Sequence, residues 1–319
     1  MIKLNRKDLK ILSLLDMNAR MSLPQLAKKV GISRQLLEYR INRLRNEGVI
    51  VCSVAVYDQK VAGTNIYRVL LQLYNIDDKE IKEFIEYLKK NYRIMWLARI
   101  GNGWDLIINI MATDTYEFDN IFMSIMENHD KIIQNYIILT YVNIRDLPRN
   151  YISEIKSNTM FFHEMSDKRI ELDQKDRKIV ELLGKDCLQS NIQIGKQVGL
   201  TGNAVKYRVK NYIENKFLLG FRTIINPNKL GYQNFLTFLI INNLKTSDEK
   251  RLLEYFKNHK NITFVVKHIG QFRIGLEIEA RNVEHLEQII RELRTNFKEL
   301  INDVRIFPVL EEYIFNYVP

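Results

Sequence analysis

Cysteine is scarce in this chain of 319 residues: Cys52 and Cys187 are the two present. They stand alone, with no Cys-x-x-Cys, so neither a zinc site nor a disulfide framework is indicated. Histidine is scarce as well, at His129, His163, His259, His268 and His285. No metal-ligand spacing and no glycine-rich phosphate loop of the Walker or Rossmann kind is found. Long apolar runs are missing. Phe235–Ile241, broken by Thr237, is far short of the roughly 20 residues that cross a bilayer. The start, MIKLNRKDLK, lacks a signal peptide's apolar core, and a cytoplasmic location is the expectation. No catalytic residue, metal or cofactor is predicted.

What is present is charge in particular places. The net charge is +10. Residues 1–60 carry 12 Lys+Arg against 5 Asp+Glu, and residues 172–231 carry 11 against 5. The rest of the chain therefore sums to −3. Basicity confined to two stretches fits polyanion-binding surfaces rather than a generally basic protein.

Those stretches are copies of one another. VGISRQLLEYRINRLRNEGVI from Val30 returns as VGLTGNAVKYRVKNYIENKFL from Val198, at an offset of 168. A glycine turn, a hydroxyl cap and a basic helix form the layout of a helix-turn-helix. Upstream, Asp8-x-x-Ile11-Leu12-x-x-Leu15 has helical spacing and is repeated by Asp176-x-x-Ile179-Val180-x-x-Leu183. Ser22-x-x-Gln25 and Ser190-x-x-Gln193 read as capping boxes. Gly31 supplies the left-handed turn, and Ser33 and Thr201 cap the two reading helices.

In the first reading helix Leu37, Ile41 and Leu44 should face inward. Arg34, Gln35, Glu38, Tyr39 and Asn42 then face out, with Arg40 and Arg43 on the flanks. Arginine and glutamine near a helix start can chelate guanine and adenine edges. Flanking arginines would neutralise phosphate. In the second copy Val205, Val209 and Tyr212 point inward. Gly202, Asn203, Lys206, Tyr207 and Lys210 point out, with Arg208 in the place of Arg40. Gly202 and Asn211 stand where Arg34 and Arg43 do, so base reading is expected mainly from the first helix. Val49–Tyr57 and Phe217–Ile225 are expected to form small wings.

After each wing the order is strand, helix, strand, strand, helix, strand. In the first copy these are 65–75, 78–91, 94–100, 104–111, 116–128 and 132–142. In the second they are 233–243, 248–259, 262–269, 272–279, 282–298 and 303–310. A βαββαβ order implies a ferredoxin-like sandwich. The chain is therefore predicted to be α+β, with two winged helix-turn-helix domains (1–60 and 172–231) alternating with two sandwiches (64–143 and 232–319). Residues 144–171 lack a clear period and read as a linker. Phe235, Leu239 and Ile241 lie on one side of their strand and Leu236, Phe238 and Ile240 on the other. Both faces of the sheet should then be covered, the second by another sandwich. Fusion favours an intrachain pair, with a homo-oligomer as the other arrangement.

These motifs resemble the Lrp/AsnC family of transcription regulators. The shared pieces are Asp-x-x-Ile-Leu-x-x-Leu, Val-Gly-Ile/Leu-Ser/Thr, Arg40-x-x-Arg43-Leu44, Gly220-Phe221 and Asn226-Pro227-x-x-Leu230-Gly231. The resemblance covers nearly the whole chain as two family-length copies. It implies a DNA-binding regulator whose βαββαβ module pairs subunits and binds an amino acid. The family's Gly-x-x-Asp turn corresponds to Gly101-Asn102-Gly103-Trp104-Asp105, one residue longer. In the second copy Arg273 stands where the carboxylate would be. Gly101, Asn102, Trp104 and Asp105 are thus the effector candidates. Ser33, Arg34, Gln35, Glu38, Tyr39, Arg40, Asn42, Arg43, Thr201, Asn203, Lys206, Tyr207, Arg208 and Lys210 are the DNA-contact candidates. Two alternatives stay open. One is an enzyme similar to the siroheme decarboxylases, for which His268 is the nearest candidate. The other is a low-specificity architectural DNA-binding protein.

Overall fold

The computed structural model describes residues 3–74, 77–155, 157–163 and 169–319. The first strand was expected to run to residue 75, which lies outside the described residues, as do residues 156 and 164–168 of the expected linker.

The chain opens with three helices, α1 (Arg6–Asp16), α2 (Leu23–Val30) and α3 (Arg34–Asn46). Each start has a local cause. Asn5 caps α1 by accepting from the Lys7 and Asp8 amides while Asp8 returns a bond to the Asn5 amide. Ser22 accepts from the Gln25 amide and Ser33 from the Leu36 amide. Gly31, at φ +75°, ends α2 in the left-handed region. Leu26, Val30, Leu37, Ile41 and Leu44 are buried with Ile11 and Leu12 in one small core.

Strand β1 (Ile50–Tyr57) follows, then β2 (Asn65–Leu73), α4 (Asp78–Asn91), β3 (Ile94–Ile100), β4 (Leu106–Ala112), α5 (Thr115–His129), β5 (Ile133–Asp146) and the short β6 (Phe161–His163). The same order returns as α6 (Gln174–Lys185), α7 (Asn191–Val198), α8 (Gly202–Glu214), β7 (Leu218–Ile225), β8 (Gln233–Ile241), α9 (Thr246–Asn258), β9 (Ile262–Ile269), β10 (Ile274–Ala280), α10 (Val283–Asn296) and β11 (Ile301–Phe315). Here Ser190 forms the full capping box with Gln193, and Gly199 repeats the left-handed end. Asn226 caps a 3-10 turn, Pro227–Leu230, that leads into β8.

The two sandwich sheets run β5-β2-β4-β3 and β11-β8-β10-β9, and they join edge to edge. β3 pairs with β11, placing Trp96 opposite Phe315, and β5 pairs with β9, placing Tyr141 opposite His268. Eight strands thus close into a ring, which removes the edges a lone sandwich would expose. Helices α4 and α5 cover one outer face and α9 and α10 the other. Inside, Leu70, Trp96 and Leu139 meet Leu236, Phe238 and Phe307. The alternation along β8 explains this directly. Phe235, Leu239 and Ile241 face the helices, while Leu236, Phe238 and Ile240 face the other half of the same chain.

The expected wings differ in how they pair. β1 and β7 form a two-stranded antiparallel ribbon with each other, centred on Val54 opposite Arg222. Those two positions are also 168 apart, so the pseudo-twofold axis passes through them. Bonds on either side obey it: Ala19 N donates to Phe221 O at 3.0 Å, and Cys187 N donates to Ser53 O at 2.8 Å. Each helix-turn-helix therefore rests on the ribbon strand of the other half.

Within the stretch expected as a linker, residues 144–146 and 161–163 form strand. β5 runs on to Asp146, and β6 pairs with it. Asp146 is fully buried and accepts from Arg222 Nη1 at 2.6 Å and from the Tyr317 hydroxyl, with His163 Nε2 at 3.0 Å. Burial pushes its carboxyl up, but His163 and Arg222 hold it below the usual range. Arg149 reaches Asp16 and Glu279, each at 3.0 Å. This network ties α1, the connecting segment, the ribbon and the second sandwich together. Val54 and Met111 occupy the positions equivalent to Arg222 and Glu279, so the network exists on one side of the axis. Among the described residues no helix is long and apolar enough to cross a membrane.

Candidate nucleic-acid interface

Helix α3 presents Arg34, Gln35, Tyr39 and Asn42 to solvent. Tyr39 is 65% exposed and its counterpart Tyr207 on α8 is 74% exposed. A large aromatic left open at the same place in both copies suits contact with a partner rather than a core. Arg34 Nε donates to Glu38 Oε1 at 2.7 Å, an exposed pair one turn apart. Such a pair holds the guanidinium loosely and can exchange for a base edge. On α8, Asn203, Lys206, Tyr207 and Lys210 are exposed, and Lys210 lies 3.4 Å from Glu214. The capping hydroxyls of Ser33 and Thr201 accept from the Leu36 and Ala204 amides.

The flanking arginines have other partners than expected. Arg40 Nη1 donates to Asp8 Oδ1 at 2.8 Å and Arg43 Nη2 to Asp8 Oδ2 at 2.6 Å. Asp8 is fully buried. Burial would raise its carboxyl, yet the Asn5 amide and both guanidiniums hold it below the ordinary carboxylate value. In the second copy Arg208 Nη1 bridges Asp176 at 2.5 Å and Asp173 at 2.8 Å, and these carboxylates raise its pKa. Asn211 replaces Arg43, and the Tyr212 hydroxyl gives Asp176 its second bond instead. These contacts lock α3 onto α1 and α8 onto α6. Arg40, Arg43 and Arg208, expected at phosphate, thus also hold the reading helices in place. The signal was in the sequence: Asp8 with Arg40 recurs as Asp176 with Arg208. Arg45, also on α3, was not among the candidates and is an exposed cation.

The turn taken for an effector site is built into the seam between halves. Asp105 Oδ2 accepts from the Leu73 amide at 2.7 Å, and Asn102 Nδ2 donates to Ile306 O at 2.8 Å. Gly101 N donates to Pro308 O at 3.1 Å. Trp104 packs against the core inside the ring. Its counterpart turn seats on β5, where a Cβ on Gly270 would approach Leu139 Cδ2 to 2.7 Å. His268 is fully buried, with its ring 5.0 Å from Tyr141 and 5.8 Å from Phe238. Burial, helped by the charge of Arg68, pushes its pKa well down.

Comparison with known proteins agrees with this geometry. Residues 4–51 match a winged helix-turn-helix DNA-binding family, and residues 172–212 match the AsnC-type helix-turn-helix domain. An uncharacterized HTH-type transcriptional regulator of Pyrococcus horikoshii is 30% identical over 146 residues, which are 44% of this chain and 93% of that protein. The proline dehydrogenase transcriptional activator of Rhizobium radiobacter is 30% identical over 142 residues, 43% of this chain and 88% of that protein. The siroheme decarboxylase NirDL superposes with a TM-score of 0.64 over 98% of this chain and 93% of its own, at 12% identity, a likeness of fold alone. The chain belongs to the Lrp/AsnC family of DNA-binding transcription regulators.

Proposed function

We propose that one chain does what a regulator with two reading helices needs two subunits to do, and binds duplex DNA in a sequence-specific way. The observation that carries this is the pair of capped, basic helices α3 and α8, held about one axis by the β1–β7 ribbon and the closed ring. Because the helices differ, the preferred site has unlike halves, about one helical turn or a multiple apart. α3 contributes most of the base reading through Arg34 and Gln35, with Tyr39 and Asn42 beside them. Asn203, Lys206, Tyr207 and Lys210 on α8 mainly hold phosphate. Arg40, Arg43 and Arg208 position the helices.

The protein acts in the cytoplasm without a chemical step of its own. His268, the residue an enzyme reading would use, is sealed inside the ring. A small-molecule effector belongs to the proposal. At the Gly101–Asp105 turn, Asp105 Oδ2 and Asn102 Nδ2 already have backbone partners, so an amino acid there would compete with them.

The test is a fluorescence-anisotropy titration of the full chain with random and genomic duplexes at several salt concentrations. The affinity should fall steeply with salt. Some genomic duplexes should bind at least about a thousandfold more tightly than random DNA. Equal affinity for all duplexes would leave the architectural reading in its place.

A further inference from the structure

A cleft of about 670 Å³ lies between the two helix-turn-helix units, straddling the axis where the start of α2 meets the start of α7. Its size falls within the range of small-molecule sites, and a junction between domains is where such sites concentrate. Leu23, Leu26, Ile41 and Ile50 give it an apolar wall.

The charged groups in the lining are two cations, Arg20 and Arg45, and one acid, Glu38. Arg20 lines the cleft, and two of its nitrogens donate to the Cys187 and Gln189 carbonyls at 2.5 and 2.8 Å. Its guanidinium lies 4.5 Å from the centroid of the Phe221 ring. Carbonyl dipoles and a ring face therefore meet its charge. Arg45 is exposed and also lines the cleft. The acid in the lining, Glu38, is already paired with Arg34.

The cleft is also one-sided. Ser53 lines it, and its equivalent across the axis is Phe221, the ring beneath Arg20. The lining also takes Glu38, Ile41, Asn42 and Arg45 from α3 and none of their equivalents on α8.

We propose that this cleft binds an amphipathic organic anion. Its acid group is drawn to Arg20 and Arg45, and its body packs on the apolar wall. Because the walls come from α3 and from the α6–α7 segment, occupancy fixes the spacing of the two reading units and so couples to DNA affinity. The coupling rests on the DNA reading; the site does not.

The probe is 1-anilinonaphthalene-8-sulfonate, an aryl anion, titrated by fluorescence into the full chain without DNA. Arg45→Glu reverses an exposed charge, and Ser53→Phe copies the packing of Phe221. Each should weaken the probe about tenfold, while Lys250→Glu on α9 leaves it unchanged. If Ser53→Phe loses the wild-type near-UV circular dichroism, Arg45→Glu alone decides. Unchanged affinity in Arg45→Glu overturns the site. In a second titration, saturating probe should shift the affinity for a selected duplex severalfold. No shift overturns the coupling and leaves DNA binding itself untouched.

Discussion

Arg40→Ala and Arg34→Ala separate an arginine that holds the reading helix from one that reads. Arg40 donates to a carboxylate with no exposure at all, and its own side chain is 18% exposed. Removing one partner of a buried pair costs about 3–5 kcal/mol. Arg43 and the Asn5 amide remain on Asp8, so about 2–3 kcal/mol is expected. For a protein of this size that lowers Tm by roughly 3–5 °C. Arg34 pairs at the surface, with 66% and 41% of the two side chains exposed, and its loss should stay within about 0.5 kcal/mol of stability. In binding the order reverses. Arg34→Ala should cost about 1–3 kcal/mol and relax preference at one base pair. Arg40→Ala, measured well below its Tm, should leave base preference unchanged. Thermal melts and anisotropy on a panel of single-base variants provide both readouts. The reasoning is refuted if Arg40→Ala melts like wild type but lowers the salt slope by about one, as a phosphate contact would.

Inside the ring, two groups should impose opposite pH dependences. Burial, and then the neighbouring Glu312, push Glu277 up to about 7 from 4.5. The folded state holds that proton more tightly, so stability falls as pH rises from about 4.5 to about 7, by about 3 kcal/mol at most. His268 is depressed below 6.5, the unfolded chain holds its proton more tightly, and stability falls as pH drops below about 6.5. His268→Leu should therefore lose stability between pH 5 and 8, and Glu277→Gln should gain it; urea midpoints of the two variants that moved in parallel would contradict both assignments. Asp105→Ala should cost about 1–2 kcal/mol through the lost bond to the Leu73 amide. Calorimetry of that variant against the amino acids should show no loss of binding relative to wild type. Arg222→Leu strands Asp146 with His163 and Tyr317 and should cost about 3–5 kcal/mol in urea unfolding; a loss under 1 kcal/mol would mean the network does not hold the halves together.

The elements that the sequence announced are those with local causes. Caps at Ser33, Ser190 and Thr201 and glycine ends at Gly31 and Gly199 act within one turn of chain, so position and residue type suffice to place them. The apolar two-sidedness of β8 was legible because its alternation is local, and it correctly demanded a second cover. The swapped ribbon was not legible, since Ile50–Tyr57 reads the same whether it pairs with a near neighbour or with a strand 168 residues away. Residues 144–163 showed no period because Asp146, Arg149 and His163 are placed by distant ionic partners rather than by a repeating face. The role of Arg40 was hidden for a similar reason. A helical wheel shows that it flanks the reading face, but only its recurrence with Asp8 reveals the partner on another helix.

Selection of bound duplexes from a random library by the full chain, followed by sequencing, tests the central claim most directly. It should enrich a two-part site with unlike halves about one helical turn or a multiple apart, the better-defined half lost on Arg34→Ala. A strictly palindromic site, or no enrichment beyond bulk composition, would contradict a single chain that reads DNA through two unlike helices.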